Sequence, residues 1–506
     1  MKMRRRTFLQ SVGAAALAAR TAAAQSNEIA RPASAGDSRP NILFIMPDQM
    51  RGDAMSIARH PVLLTPNIDA IAAQGTRFAR GYTTCPSCIP ARRSLLTGLH
   101  PASNGLVGYQ EGVPLKHPAF PQLMLDSGYS TVLVGRNMHQ SPYETPYGYE
   151  KRVLGSNYIE GDEYAKDFEA ELPGIGGTKS IGISFNGWAA RPWPYPDHLH
   201  LTQWTATKSR QALEEHDETR PLFLTSSYIA PHPPLIPPAF YYERYHAMQL
   251  PDAAIGTWEK RPENDGLGLG VDSHHCVLEG EALRGAQSGY FGLINHLDDQ
   301  ISWLVSEFRT KSRKMGRPWV IVFTSDHGEM LGDHYLFRKC EPYEGSARIP
   351  FLIAGSPDLR FKTGQVSQQP VCLEDLMPTL LELSGVDVPS GLDGRSLVPA
   401  LRGDESPVRP WLHMEHAPCY GPEQAFHSLT DGHSKFIWRP VQGEEQLFDL
   451  DTDPQEKTDL SQSAAHAAPV REWRNRLITQ LKDRPEGFTD GQQLIAGRPY
   501  TNLVGA

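Results

Sequence analysis

The stretch Asn41-Ile42-Leu43-Phe44-Ile45-Met46-Pro47-Asp48-Gln49 decides how the chain is read. An apolar run without alternation suits a strand buried on both faces, as in a parallel sheet, and Pro47 is expected to end it. Asp48 and Gln49 then fall at the C-terminal end, where open α/β sheets keep their sites. A single Asp after a strand is as readily a helix N-cap. Repetition supplies the weight. Ser130 to Val134 is followed by Gly135-Arg136-Asn137-Met138-His139, Leu222 to Ser227 by Ala230-Pro231-His232, and Trp319 to Thr324 by Ser325-Asp326-His327-Gly328-Glu329. Four strand-like runs each deliver proton-handling or metal-ligating side chains just past their ends.

Outward from these runs, Asn67 to Ala72 reads as a helix leading to Gly75, and Gly289 to Val305 as an amphipathic helix. Asp298 and Asp299 within it are expected to be solvated or to anchor a loop. Phe185 to Trp204, aromatic and Pro-rich without periodicity, reads as an ordered loop. Phe351 to Ala354 is a fifth strand. Beyond Arg402 the pattern shifts to short strand-like pieces, Lys435 to Trp438 and Gln446 to Leu450, and a helix from Val470 to Leu481. The expected organisation is a leader at 1–24, a linker at 25–39, a catalytic α/β domain at 40–401 and an α+β subdomain at 402–506.

The leader, Arg4-Arg5-Arg6-Thr7-Phe8-Leu9 ahead of an Ala-rich apolar run, has the pattern of a twin-arginine export signal, with Ala22-Ala23-Ala24 as a cleavage site. The mature protein is therefore expected to be periplasmic or secreted, with no membrane span. Its loss removes five positive charges, taking the formal net charge from −9 to −14. Such a balance argues against a nucleic-acid partner, so any anion site must be a local basic pocket. Six cysteines in 506 residues imply no disulfide framework.

Two of them, Cys85 and Cys88, open the stretch Cys85-Pro86-Ser87-Cys88-Ile89-Pro90-Ala91-Arg92-Arg93-Ser94-Leu95-Leu96-Thr97-Gly98. It reads as a turn entering a helix that starts near Pro90 and stops at Gly98. Cys88 then lies at the helix N-terminus, which favours negative charge, with Arg92 one turn on. A redox pair or half a zinc site are the other readings of C-x-x-C. Cleavage of an ester of a strong acid needs an in-line nucleophile, positive charge on the equatorial oxygens and an acid for the leaving group. Asp48, Asp326, His327 and Gln49 are the candidate ligands of a hard divalent ion, Ca²⁺ first with Mn²⁺ or Zn²⁺ as alternatives. His139, His232, Lys339 and Arg92 are the candidate cations and proton carriers.

Cys88-x-Pro90-x-Arg92 with Leu95-Leu96-Thr97-Gly98 resembles the signature of the type I sulfatases, in the alkaline phosphatase superfamily. Pro40 to Asp48, Thr324 to Glu329, Gly332-Asp333-His334, Lys339 and Gln446 to Leu450 match the same family, so the resemblance spans most of residues 40–460. It implies a large, mostly parallel sheet sandwiched by helices, with a smaller C-terminal α+β subdomain. It also implies that a maturation enzyme oxidises Cys88 to Cα-formylglycine, whose metal-bound hydrate attacks the sulfur of an organic sulfate. Arg92 would hold the hydrate, Lys339 and His232 would bind the sulfate and serve the leaving group, and His139 would take the proton that frees sulfate.

Three departures stand out. Asp48-Gln49 replaces a frequent pair of acids, Arg136 occupies the region of a frequent lysine, and Asn104-Gly105 stands where His-Gly is common. The Asp-Gln and Asp-His combination also resembles phosphonate monoester hydrolases, which makes phosphonate or phosphate diesters the rival substrates. A noncatalytic binding protein that keeps the pocket is the reading from another class.

Overall fold

The computed structural model describes residues 38–156, 158–262, 270 and 273–505. The twin-arginine leader and most of the linker lie outside the described residues. Strand β1 (Asn41–Asp48) runs through the centre of an eight-stranded sheet. Ile42, Phe44 and Met46 enter one apolar cluster and Leu43 and Ile45 the other, so the run is apolar throughout because both faces are covered. Pro47 does not end the strand. The chain pairs on to Asp48, with a register shift between the two that sets Asp48 opposite Pro231.

The other strands are β2 (Gly75–Tyr82), β3 (Ser130–Gly135), β4 (Lys151–Leu154), β5 (Leu222–Pro231), β6 (Trp319–Thr324), β7 (Phe351–Gly355) and β8 (Gln365–Cys372). Their order is β4-β3-β5-β1-β6-β7-β2-β8. The four strands singled out by their trailing polar residues, β3, β5, β1 and β6, are consecutive neighbours and mutually parallel. Their C-terminal ends therefore share one edge. Only β7 runs against the rest, antiparallel to both β6 and β2. The stretch from Thr76 to Phe78, which carries no strand pattern of its own, belongs to strand β2.

Helices cover both faces. Helix α1 (Pro66–Ala73) precedes β2, and α2 (Cys88–Thr97) follows it. Helix α2 starts at Cys88, so Pro90 is inside the first turn, where a missing N–H breaks no intrahelical bond. It ends at Gly98, whose φ of 65° and proximity to Met377 both suit a residue without Cβ. Helix α3 (Leu201–Glu214) takes over the last residues of the expected aromatic loop, and α4 (Gly280–Lys314) extends well beyond the predicted core. Asp298 on α4 anchors rather than solvates. It is buried and accepts hydrogen bonds from the Asn67 and Ile68 N–H groups at the start of α1.

The C-terminal part forms a four-stranded antiparallel sheet, ordered β12 (Glu444–Asp449), β11 (Ser434–Arg439), β10 (Phe426–Thr430), β9 (Leu412–His416). Helix α5 (Ala467–Leu481) packs Val470, Trp473 and Leu477 against Leu429, Phe436 and Trp438. Lys435 on β11 ties this sheet to the large one. It is fully buried, with Nζ 2.8 Å from both Glu344 Oε1 and Glu456 Oε1. Lys435→Met leaves buried Glu456 without its cation and Glu344 dependent on Arg348, and is expected to cost about 3–5 kcal/mol, read by urea denaturation.

Candidate active site

Helix α2 aims its N-terminus at the shared edge of β1 and β6, and Cys88 is its first residue. The preceding Ser87 does not cap the helix with its side chain, because its hydroxyl bonds His416 Nε2 at 2.7 Å. Cys88 Sγ is 3.0 Å from Lys339 Nζ, 3.2 Å from His327 Nε2 and 3.8 Å from Asp48 Oδ1. Burial opposes ionisation of this thiol, but Lys339, His327 and Arg136 outweigh it and hold the group well below its ordinary value.

Arg92, one turn along α2, is wholly buried. Its Nε donates to Asp326 Oδ2 and its Nη2 to Asp48 Oδ2, each at 2.8 Å. Arg136 Nη1 adds a second cation 2.9 Å from Asp48 Oδ2. Burial works against the Asp48 charge, yet Arg136 and Arg92 keep the carboxyl below its usual range. With their Oδ2 atoms so occupied, Asp48 and Asp326 turn Oδ1 toward His327 Nε2, at 3.8 Å in both cases. His327 Nδ1 donates to the Gly328 carbonyl at 2.9 Å. Burial opposes a charge on the ring, but Asp326 and Cys88 raise its value, so Nε2 offers a lone pair only once its proton is displaced. Asp48, Asp326, His327 and Cys88 thus present four ligand atoms within 4.8 Å of one another.

Gln49 is the junction between this group and Lys339. Its backbone N–H donates to Asp326 Oδ1 at 3.1 Å, its side-chain Oε1 accepts from Lys339 Nζ at 3.2 Å, and its Nε2 donates to Glu329. Sequence reasoning quoted Glu329 without giving it a task. It is fully buried, with its carboxyl raised by burial, and it also accepts from the Leu331 and Arg338 N–H groups. The signal was available: an acid three residues beyond Asp326, inside an otherwise apolar and Gly-containing turn.

His232 follows β5, with Nδ1 2.7 Å from the Pro233 carbonyl and Nε2 3.3 Å from Lys339 Nζ. Burial and the neighbouring Lys339 press its value down to about 3, so the ring is neutral and accepts from the lysine. Lys339 stays cationic: burial opposes its charge, but Cys88 and Asp48 raise its value. Tyr158, unmarked by the sequence reading, places its hydroxyl 3.1 Å from His232 Nδ1 and its ring 5.2 Å from the Arg136 guanidinium. His139 lines the same cavity but bonds Arg136 at 3.2 Å.

The cavity above Cys88 holds about 540 Å³, walled by Tyr109, Tyr143, Tyr158 and Tyr420, with Glu111, Glu144 and Arg338 among its lining. A slightly larger groove of about 590 Å³, lined by Glu259, Glu341, Glu444 and Glu445, contains no nucleophile. Chemistry rather than size marks the site. A buried cysteine ringed by cations, beside converging carboxylate and imidazole atoms, is the kind of arrangement that hydrolysis of an ester of a strong acid requires.

The sulfatase family model matches residues 40–386, and the model for the C-terminal part of N-sulphoglucosamine sulphohydrolase matches residues 332–483. The chain belongs to the sulfatase family and is a sulfuric ester hydrolase. It is 36% identical to an arylsulfatase of Clostridium perfringens, over 92% of this chain and 99% of that one. It is 30% identical to a choline-sulfatase of Rhizobium meliloti, over 84% and 83%. Among solved structures, a phosphonate monoester hydrolase of Agrobacterium radiobacter aligns with a TM-score of 0.74 at 23% identity, covering 91% of this chain and all of that one. A protein solved with its substrate D-glucosamine-2-N,6-O-disulfate aligns at 0.70 and 22%, covering 88% and 98%. These two likenesses concern the fold.

Glu329→Ala removes the acceptor that orients Gln49 and the Arg338 N–H. It is expected to lower kcat/KM about 10–100-fold, measured against divalent-ion concentration on an aryl sulfate.

Proposed function

We propose that the chain is an exported sulfatase that hydrolyses an organic sulfate monoester, a sulfated carbohydrate or an aryl sulfate, at a Cα-formylglycine made from Cys88. The supporting observation is the convergence of Lys339, His327 and Asp48 on one buried sulfur at the floor of a cavity. A cysteine serving only as packing has no use for such a ring of charge. In this reading a formylglycine-generating maturation enzyme converts Cys88, and the twin-arginine machinery carries the protein to the periplasm or beyond. Among the described residues no helix is long and apolar enough to cross a membrane. The tyrosine walls offer flat faces to an aryl ring or a pyranose, and the names of the arylsulfatase and choline-sulfatase relatives point to sulfate monoesters.

The residues fit a divalent cation: two carboxylate oxygens and His327 Nε2 converge, with the other ring nitrogen held by a carbonyl. Asp48, Asp326 and His327 would hold Ca²⁺, or alternatively Mn²⁺ or Zn²⁺, with Gln49 as a further oxygen, supplying Lewis-acid charge to the ester oxygens. The aldehyde at position 88 supplies the nucleophile in its hydrated form.

The remaining tasks fall to side chains that are in place. Arg92 bridges Asp48 and Asp326 through separate nitrogens and orients both. Arg136 and Lys339 place positive charge where sulfate oxygens arrive. Lys339 is also the proton donor to the leaving oxygen, because neutral His232 accepts from it and steers it. His139, at the cavity wall beside Arg136, is the candidate to take the proton whose loss lets sulfate depart.

A second reading keeps the site and changes the substrate to a phosphonate monoester or phosphodiester. Gln49 favours it, since a neutral amide there resembles the phosphonate hydrolases more than a second acid would.

Mass spectrometry of the peptide spanning residue 88, from active enzyme, should find the aldehyde; an intact thiol refutes the proposal. Cys88→Ala should abolish turnover, and Lys339→Ala should lower kcat/KM about 10²–10³-fold. Matched aryl sulfate and aryl phosphonate esters decide between the two substrates: kcat/KM is expected to favour sulfate, and a preference for phosphorus establishes the second reading.

A further inference from the structure

Beside Lys339, three side chains with no part in the proposed hydrolysis come together. The ligand atoms of Cys340, His416 and Cys419 all lie within 4.8 Å of one another. Cys340 and His416 are buried, and Cys419 is half-buried at the wall of the cavity above Cys88. They come from two parts of the chain: Cys340 directly follows Lys339, while His416 ends β9 and Cys419 stands in the loop just beyond it. Cys340 adopts a φ of 70°, a conformation unfavourable for a residue with a Cβ, while its N–H donates to the Pro86 carbonyl at 2.8 Å.

The imidazole is already prepared as a ligand. His416 Nδ1 is bonded to the Ala417 carbonyl, which only accepts, so the ring proton resides there and Nε2 carries the lone pair. A carbonyl behind the ring is the usual companion of a metal-binding histidine. That lone pair now accepts from the Ser87 hydroxyl at 2.7 Å.

We propose that Cys340, Cys419 and His416 form a second metal site, separate from the one at Cys88, for a soft cation of the zinc(II) class. Two thiolates and an imidazole discriminate against Ca²⁺ and Mg²⁺ and suit a thiophilic ion. Ligand atoms around a tetrahedral zinc stand roughly 3.3–3.8 Å apart, so the existing cluster needs only a small contraction. Binding releases the two thiol protons to solvent and takes the His416 lone pair from Ser87. The ion then joins the Lys339 loop to the loop after β9, which also carries Tyr420 of the cavity wall. A Cys340–Cys419 disulfide would use the two sulfurs but leave the prepared imidazole without a purpose.

The test uses the full chain carrying Cys88→Ser, so that no thiol remains at the catalytic cluster. After chelator treatment, added Co²⁺ is expected to produce a thiolate-to-cobalt charge-transfer band, and one equivalent of Zn²⁺ should bleach it. Cys340→Ser or Cys419→Ser should weaken the band and the pair should eliminate it, while His416→Gln should weaken Co²⁺ affinity at least about tenfold. The Cys88→Ser protein alone is decisive if the further variants fail to fold. Absence of the band in that protein with its thiols free overturns the proposal. So does a Cys340–Cys419 disulfide found by peptide mass spectrometry in the exported protein.

Discussion

Two carboxylates, Asp48 and Asp326, are held side by side out of water, and Arg92 makes that arrangement stable. A buried carboxylate pair without a counter-ion would surrender one charge by taking up a proton. Arg92 bridges them through separate nitrogens, and its planar guanidinium fixes where both Oδ1 atoms point. Buried ion pairs often contribute little net stability, so the value of this group lies in geometry. What it maintains is a converging pair of Oδ1 atoms beside His327.

The surrounding chain shows the same use of stability for geometry. Gln49, His139, Arg338 and Cys340 all have positive φ, and each lies within or beside the site. Backbone in this region is unfavourable for residues with a Cβ and persists only where neighbours enforce it. Here the enforcement is visible. Glu329 bonds the Arg338 N–H and the Gln49 amide, and Pro86 takes the Cys340 N–H. Lys339, between two such residues, is thereby directed inward to Cys88 while its own loop remains against the C-terminal sheet.

Much of this was legible from local patterns. Four apolar runs ending in polar residues predicted the strands β1, β3, β5 and β6, and C-x-P-x-R predicted the helix that starts at Cys88. Other features had no local signature. Strand β2 carries Arg77 and Arg80 among small residues, and only its pairing with β7 and β8 makes it a strand. Helix α3 begins inside an aromatic, Pro-rich stretch whose packing against β5 overrides its composition. Asp298 read equally as a solvated acid or an anchor, and only the start of α1 coming down on it decides for the anchor.

Residue types and their order along the chain were enough to specify the class of enzyme: a cysteine at a helix start, acids and histidines after strands, an arginine one turn on. Those are short-range facts, set by periodicity and by which side chains carry charge or lone pairs. The tertiary structure alone decided that β3, β5, β1 and β6 are neighbours, so that residues nearly 300 positions apart share one edge. It alone assigned Arg136 to Asp48, Gln49 to Glu329, and Cys340 to His416 and Cys419. Such pairings depend on distances between segments remote in sequence, and no local propensity encodes them.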